Sequence, residues 1–548
     1  MKICVVTSSN EGIASPFSKY DKSPDPTWYI TKTLHEFFIR PVSKENAKQD
    51  IDRLCEEGKE QGWNLYMNYM WGSKKDEVAG VEATKYLESK NVPILANQSR
   101  FLEKTKLDLN KAAKKFKFLV PGNTPERYPK IVKYADGYAE PSLEEKLVCL
   151  TKEETEKQVG LKKERCKHLE VMVQDYISGT TCSVIVIEMG RGVTALTPIQ
   201  QVFPGETPDY EAFLTWDGKF DNIEKGTVTY EFVEEDPTFT SLKEVAILAF
   251  KSMEGHRSGW ARVDIRLEAS TGLLYVIDVY SVPLIFFPLG DALGDDMIIS
   301  HRYPGGQPAF FDTLLATRQI QRGELGRRNA RVAAIYDGNA EHYDYLIRRG
   351  DINFFSFREI LISKFDFSGT VLDVACGSGF FGELLHKNGV EAEITGIELS
   401  TGMLRFPAIK NHYKYPIMVG PMQELIMLAK EHDHIVCFGG FHFLDRIHFN
   451  AVLARMFMLA RKSITFEIDD IDEAYIAGVK EKYGEQCYNG NNVEAIQVFS
   501  TPHGWRKVFE ERKEVFISHI DGTEVWGIYY RYESTSFFSG EDLWPIGM

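Results

Sequence analysis

The chain opens on an unbroken apolar run, Ile3 to Thr7, which stops at the polar loop Ser8-Ser9-Asn10-Glu11-Gly12. A short apolar run bounded by turn residues predicts a buried strand. Val78 to Glu88 (VAGVEATKYLE) has a helical pattern, and Asn91-Val-Pro-Ile-Leu95 reads as a short strand entered through a turn. Residues 1–96 are thus expected to form a small α/β domain. From 97 to 320, helical and strand patterns alternate between charged loops. The clearest strands are Lys130–Tyr134, Leu169–Tyr176, Cys182–Glu188, Trp260–Leu267 and Leu273–Tyr280. The last two flank Ser270-Thr271-Gly272, a tight-turn signal that predicts a hairpin. Lys104 to Lys117 (KTKLDLNKAAKKFK) predicts an amphipathic helix with a basic, solvated side.

A polar, arginine-rich stretch, Gln321 to Arg328, interrupts this pattern, and 321–330 is read as a linker. Beyond it, from 331 to 548, a helix precedes repeated strand–loop–helix units, the pattern of parallel strands joined by right-handed crossovers. Glu514–Ile520, Asp521-Gly522 and Glu524–Tyr532 close the region as an antiparallel hairpin. The expected fold class is multidomain α/β.

Composition narrows the function classes. The net charge of -15 and pI near 5.5 argue against nucleic-acid binding, which needs a concentrated basic face. The eight cysteines form neither a zinc knuckle nor a redox CxxC pair, which suits a reducing compartment. No apolar run is long enough for a signal peptide or a membrane span, so a soluble cytoplasmic protein is expected. A homodimer is left open.

Val371-Leu-Asp-Val-Ala-Cys-Gly-Ser-Gly379 is an apolar strand entering a glycine turn, followed by a helix at Phe380–Lys387. Gly377-Ser-Gly379-Phe-Phe-Gly382 also satisfies the dinucleotide pattern GxGxxG, with Glu398 near the spacing of a ribose contact. Asp373, just before the glycines, would oppose a pyrophosphate but suit a cationic ligand. The stretch resembles motif I of the class I S-adenosylmethionine-dependent methyltransferases, hxDxGxG, with Ala375 where the first glycine usually stands. Ile397-Glu398-Leu399-Ser400 resembles the family's acidic ribose-binding strand end, and His434 to Leu444 its fourth-strand motif. Ile335-Tyr336-Asp337 to His342-Tyr343-Asp344 resembles its helix over the sulfonium.

The resemblance covers about 331–535 and implies S-adenosyl-L-methionine held by Tyr336, Tyr343, Asp373, Gly377, Gly379, Glu398 and Leu399. Met422 and Gln423 fall where adenine would lie. His442 is read either as an acceptor base or as a packed histidine. Glu467, Asp469 and Asp470 follow an expected strand at Ser463–Phe466, where they either hold a cationic amine or simply solvate a loop.

In the first half, Lys104, Lys133 and Lys219 stand in contexts that suit a phosphate. If Trp260–Leu267 pairs with Leu273–Tyr280 in the right register, Asp264 and Asp278 share a face, and two adjacent carboxylates call for a cation. This half, about 1–320, resembles the D-alanine–D-alanine ligase branch of the ATP-grasp family. The resemblance implies ATP held by Lys104 and Lys133, with Gln174 to Ile177 as the hinge beside adenine. It implies Lys219 on the γ-phosphate, Arg262 polarising the activated carboxyl, and Asp264 and Asp278 binding Mg2+. His301 to Asp312 would form a closing loop and helix. The chain departs from the family at Gln174, Thr181, Tyr280 and Leu284, the last pointing to a bulkier, apolar acceptor than D-alanine.

The reading is therefore an ATP-dependent carboxylate–amine ligase joined to a methyltransferase, acting on small carboxylate and amine substrates such as amino acids. The rivals are an active methyltransferase with a degenerate ATP-grasp binding or dimerisation module, and a nicotinamide oxidoreductase.

Overall fold

The structure, a computed structural model, describes residues 1–11, 24–31, 34–73, 78–135, 148–165, 167, 169–205, 228–235, 237–255, 259–287, 294–349, 354–414, 416–484, 490–517, 522 and 524–537. Lys219 with its neighbour Trp216, and Asp521 of the expected hairpin turn, lie outside these residues. The chain forms two compact units, Met1–Glu188 with Val193–Arg302, and Met189–Gly192 with Tyr303–Met548.

In the first unit, strand β1 (Lys2–Ser8) lies between β2 (Glu36–Val42) and β3 (Leu65–Tyr69), with β4 (Ile94–Leu95) beyond β3, all parallel. A central strand of a parallel sheet is covered on both faces, which explains the continuous apolar run. Helices Ala47–Gln61 and Val81–Ser89 contribute Leu54, Ala83 and Leu87 to the core around Cys4 and Val6.

Two further sheets follow. β5 (Lys130–Tyr134) lies between β6 (Val148–Cys149) and β7 (Val171–Asp175), antiparallel to both. The other sheet runs β11-β10-β8-β12-β13, with β9 also paired to β8. Its strands are β8 (Gly179–Met189), β9 (Gly192–Ala195), β10 (Ile199–Val202), β11 (Thr229–Phe232), β12 (Trp260–Glu268) and β13 (Leu274–Tyr280). The expected β12–β13 hairpin is present, and Gly272 turns it at φ +70° with its N–H on the Glu268 carbonyl. The lysine-rich helix spans Lys106–Phe116, begun by a capping box of Thr105 and Asp108. Leu109 and Ala113 join Ala246, Phe250, Val184 and Val263 in the core, leaving the lysines outside.

The second unit begins with helices Gly306–Arg322, Gly326–Arg349 and Phe354–Lys364. The expected linker at 321–330 is the end of one helix, a left-handed turn at Gly323 and the start of the next. By packing, the units divide at Arg302/Tyr303, because helix Gly306–Arg322 lies on helix Arg446–Leu459. There Asn450 Nδ2 donates to Asp312 Oδ2 at 2.7 Å in the buried interface of the two helices.

The sheet of this unit contains β14 (Gly369–Val374), β15 (Ala392–Glu398), β16 (Met418–Val419), β17 (His432–Cys437), β18 (Ala460–Asp470), β19 (Trp505–Ile517) and β20 (Glu524–Ser534). Its order is β16-β15-β14-β17-β18-β20-β19. The first five strands in that order are parallel, and β20 runs antiparallel to both neighbours. The order reverses direction at β14, so the carboxyl ends of β14, β15 and β17 frame the crevice where ligands of open α/β sheets bind. Among the described residues no helix is long and apolar enough to cross a membrane, and the described cysteines are free thiols.

Candidate active site

The first unit builds its polar centre on β12. Alternation along that strand puts Arg262, Asp264 and Arg266 on one face. The β12–β13 register sets Asp264 opposite Asp278, the condition the sequence reading required for a shared face. Every charge here has an internal partner. Arg262 donates to Asp295 Oδ2 at 3.2 Å and Asp264 Oδ2 at 3.1 Å, and its guanidinium lies 4.5 Å from the Tyr280 ring centre. Ser183 donates to Asp264 Oδ1 at 2.8 Å. Burial works against the Arg262 charge, but Asp264 and Asp295 overcome it and hold its pKa well above the usual value.

Asp278 meets lysines instead. Lys106 Nζ lies 3.2 Å from its Oδ2, and Lys133 donates to the adjacent Ile277 carbonyl at 3.3 Å. Burial raises the Asp278 pKa, yet the ammonium groups of Lys106 and Lys133 outweigh it and hold the carboxyl below the ordinary range. Lys104 is drawn 3.5 Å from Glu254 on the surface, so the structure brings Lys106, not Lys104, to the carboxylates. Gln174 is buried with its amide 3.4 Å from the Pro121 carbonyl. Ile177 is buried as well, and its carbonyl accepts from Arg266 at 2.9 Å. Arg266 also donates to Thr181 at 2.6 Å.

Two residues that the sequence reading passed over fix the neighbouring loop. Asp295 accepts from Leu284 N at 2.7 Å. Asp296 accepts from Phe286 N, Phe287 N and the Tyr29 hydroxyl at 2.8, 3.0 and 3.2 Å. Burial raises Asp296 to about 7, with Asp295 adding to the rise. Ile285 and Phe286 are wholly buried, so this apolar segment belongs to the core.

Among the described residues no group of three or more His, Cys, Asp or Glu is arranged for a metal ion. The chemistry of the Asp264–Asp278 pair nevertheless fits Mg2+, which takes one or two carboxylates and completes its shell with phosphate oxygens and water.

In the second unit the glycine turn after β14 carries the site. Ala375, at φ +62°, takes the left-handed conformation that glycine usually supplies. Gly440 makes room for it, since a side chain there would come within 2.9 Å of the Ala375 Cβ. Gly377, at φ +55°, is open; a Cβ there would meet nothing nearer than Tyr343 Cε1 at 3.9 Å. Gly379, at φ +83°, also answers a packing need, because a Cβ would press on the Ile409 backbone at 2.9 Å.

Glu398 accepts from Gly377 N at 2.8 Å and Ser400 N at 2.7 Å, which ties the end of β15 to the turn. Burial raises its pKa although those N–H groups oppose the rise. Leu399 beside it is half-buried. Asp337, on the helix carrying Tyr336 and Tyr343, accepts from the Ser400 hydroxyl and Gly402 N, both at 2.7 Å, and those bonds lower its pKa. Tyr336 meets Tyr343 and Phe443 edge-on, at 5.9 and 5.6 Å between centroids. Met422 is buried, and Gln423 donates to Asn329 at 3.1 Å.

Asp373 lies deeper than its sequence position suggests. It is buried, accepts from the Tyr413 hydroxyl at 2.6 Å, and is raised by burial to about 7 despite that bond. Its negative charge near neutral pH is therefore partial, and the charge argument drawn from it weakens. Glu467 and Asp469 correct the loop reading outright. They lie in β18, 1% and 5% exposed, because β20 pairs with that strand as far as Asp470. Asp470 alone reaches the surface, where it pairs with Arg512 at 2.7 Å. His442 Nδ1 stands 2.8 Å from Asp469 Oδ2. The buried Arg358, on helix Phe354–Lys364, faces Asp373, Glu467 and Tyr343 and was not read from the sequence.

The open turn at Gly377 thus has the Glu398 carboxylate on its N–H and the Tyr343 ring beside it. Residues 371–463 match the family model of a methyltransferase domain. The D-Ala:D-Ser ligase of Enterococcus faecalis is a similar solved structure, with 12% identity over 58% of this chain and 99% of that one, TM-score 0.41. The D-alanine-D-alanine ligase of Coxiella burnetii is similar at 14% identity over 61% and 99%, TM-score 0.39. The magnesium protoporphyrin IX methyltransferase of Synechocystis PCC 6803 is similar at 12% identity over 36% and 84%, TM-score 0.23. No curated protein matches the sequence. The fold class is multidomain α/β, and the stretch that matches the methyltransferase-domain model lies in the second unit.

Proposed function

We propose that the chain is a bifunctional biosynthetic enzyme, which joins a small carboxylate to an amine at the expense of ATP and methylates a substrate or the product. In this reading 1–96 and 97–320 form the ligase and 331–548 the methyltransferase. The carrying observation is the register that sets Asp264 against Asp278 with the ammonium groups of Lys106 and Lys133 alongside. Asp264 and Asp278 would hold Mg2+, which when bound would neutralise charge on the transferring phosphoryl group. Lys106 and Lys133, with Lys104 and Lys219 as further candidates, would steady the phosphates, and Gln174 and Ile177 the adenine. Arg262 would polarise the carboxyl that accepts the phosphoryl group. Preorganised charges of this kind stabilise the transition state without reorganising.

For methyl transfer, Glu398, Leu399, Gly377, Gly379, Asp373, Tyr336, Tyr343, Met422 and Gln423 would hold S-adenosylmethionine, the methyl source. Alignment of donor and acceptor then supplies much of the rate, and His442 would accept a proton. The test incubates the full chain with ATP, Mg2+ and a panel of amino acids, with calorimetry of S-adenosylhomocysteine alongside. ADP and phosphate, with S-adenosylhomocysteine bound, are the expected result; AMP, or binding of NAD instead, contradicts the reading.

A second reading is favoured by one observation. Arg262 and Lys106 already neutralise the two aspartates, and Tyr280 stands where the resembling family has a metal-sharing asparagine. A ligase half serving only as a binding module would neither bind nor hydrolyse ATP across the panel.

A further inference from the structure

His442 lies in a short turn, Phe441–Phe443, after β17. Its ring centre is 4.0 Å from that of Phe443, and its Nδ1 is 2.8 Å from Asp469 Oδ2. Asp469 and Glu467 alternate onto the same face of β18. Glu467 Oε2 accepts from Gly439 N at 2.9 Å, while among the described residues no N–H or O–H reaches Oε1. The carboxyl of Asp469 lies beside it. Two buried carboxyls in contact are stable when they share one proton. The Asp469 carboxylate, 2.8 Å from His442 Nδ1, is at ion-pair distance from the ring and would orient the imidazole. This orientation of a base by a buried carboxylate is the logic of the catalytic triad.

The groups facing this pair are Tyr343, Arg358 from helix Phe354–Lys364, Cys437 at the end of β17 and Tyr529 from β20. Carboxyl groups thus outnumber the guanidinium of Arg358, which lies over the Phe438 ring at 4.9 Å. Beside them stand the rings of Tyr336, Tyr343 and Phe443, in edge-on contact. Aromatic faces next to carboxylates suit a cation. A carboxylate acceptor would enter against like charge, and an alcohol would leave that charge uncompensated.

Resting on the methyltransferase reading above, we propose that the methyl acceptor is a protonated amine, that His442 takes its proton, and that Asp469 and Glu467 position the imidazole. The ammonium proton passes to Nε2 of His442. The freed nitrogen lone pair forms the bond to the methyl carbon as the carbon–sulfur bond breaks, its electron pair staying on sulfur. The imidazolium that results lies against Asp469, which balances its charge.

The test uses the full chain, labelled S-adenosylmethionine, and 2-phenylethylamine with other primary amines, each paired with the alcohol and carboxylic acid of the same skeleton. Methyl groups on nitrogen are expected. Methylation of the oxygen compounds, or of nothing while S-adenosylhomocysteine still binds, overturns the amine assignment. Failure to bind S-adenosylhomocysteine overturns the methyltransferase reading itself, which separates the two failures. Asp469→Asn should lower kcat by about 10²-fold or more with KM changed only a few-fold, and imidazole should restore His442→Ala in part. Histidine 15N spectra should show the Nδ1–H tautomer of His442 in wild type and its loss in Asp469→Asn; an Nε2–H tautomer in wild type contradicts the positioning role.

Discussion

The two units solve opposite electrostatic problems. Around β12 and β13 acids and bases alternate, so Arg262, Asp264, Asp295, Lys106 and Asp278 neutralise one another. Around β14 to β18 acids prevail, and Asp373, Glu398 and Glu467 are all pushed up by burial. A self-neutralised site stays charged, and an incoming ligand must exchange partners with it. An acid-rich site sheds charge by taking protons, and a cationic ligand can replace those protons. The contrast predicts anionic substrates in the first unit and cationic ones in the second.

The largest expected effect tests the first half of that contrast. Asp278→Ala should reduce ATP turnover on the order of 10²–10³-fold, as loss of a phosphoryl-stabilising group does. Methylation of an acceptor supplied already ligated should persist. ADP release measured in a coupled assay checks both, and unchanged turnover would break the assignment of Asp278.

Glu398→Ala comes next. It removes the acceptor of Gly377 N and Ser400 N as well as the proposed ribose contact, and should weaken S-adenosylhomocysteine binding by about 1–3 kcal/mol. Titration calorimetry reads this directly. The same change should leave ATP turnover untouched.

Acid titration sharpens the comparison further, because the two aspartates move in opposite directions. Asp373 is raised from its unfolded value to about 7, so the folded state holds its proton more tightly. Its stabilising contribution is full below roughly pH 4 and is lost as pH rises towards 7. Asp278 is lowered, so its contribution is present above the unfolded pKa and is lost as pH falls through the folded one. Carboxyl 13C titration should place Asp373 near neutrality and Asp278 in the acid range. Tyr413→Phe, which removes a bond that lowers Asp373, should move its midpoint higher still.

The pattern of the chain made some of this legible and hid the rest. The β12–β13 pair was visible because alternation and a Ser-Thr-Gly turn are both local signals. β2 was missed: its EFFIRPV is half-buried at the edge of its sheet and follows a charged run. The choice between Lys104 and Lys106 had a signal that went unused. Thr105 and Asp108 form a capping box, so the helix begins at Lys106 and leaves Lys104 outside it. Asp295, Asp296 and Arg358 gave no local sign, since their partners lie on other elements. The burial of Glu467 and Asp469 depends on β20, some sixty residues on, so a strand end and an acidic loop looked alike from sequence.

The smallest effect concerns the turn where Ala375 stands in place of a glycine. Ala375→Gly relieves a left-handed alanine but frees the unfolded chain, so stability should change by no more than about 1 kcal/mol. Gly440→Ala should be worse tolerated, and less harmful when combined with Ala375→Gly, because the two Cβ atoms would otherwise collide. A double-mutant cycle in denaturant measures that coupling.

The claim that both halves work is tested most directly by one labelled reaction. The full chain is supplied with ATP, Mg2+, S-adenosylmethionine carrying a 13C methyl group, and an amino-acid panel whose carboxyl oxygens are 18O. The account predicts an amide bearing the 13C methyl on nitrogen, ADP, and one 18O in the released phosphate, since an acyl phosphate hands a carboxyl oxygen to phosphorus. Label in AMP, or a methylated product formed with no ATP consumed by any member of the panel, would contradict it.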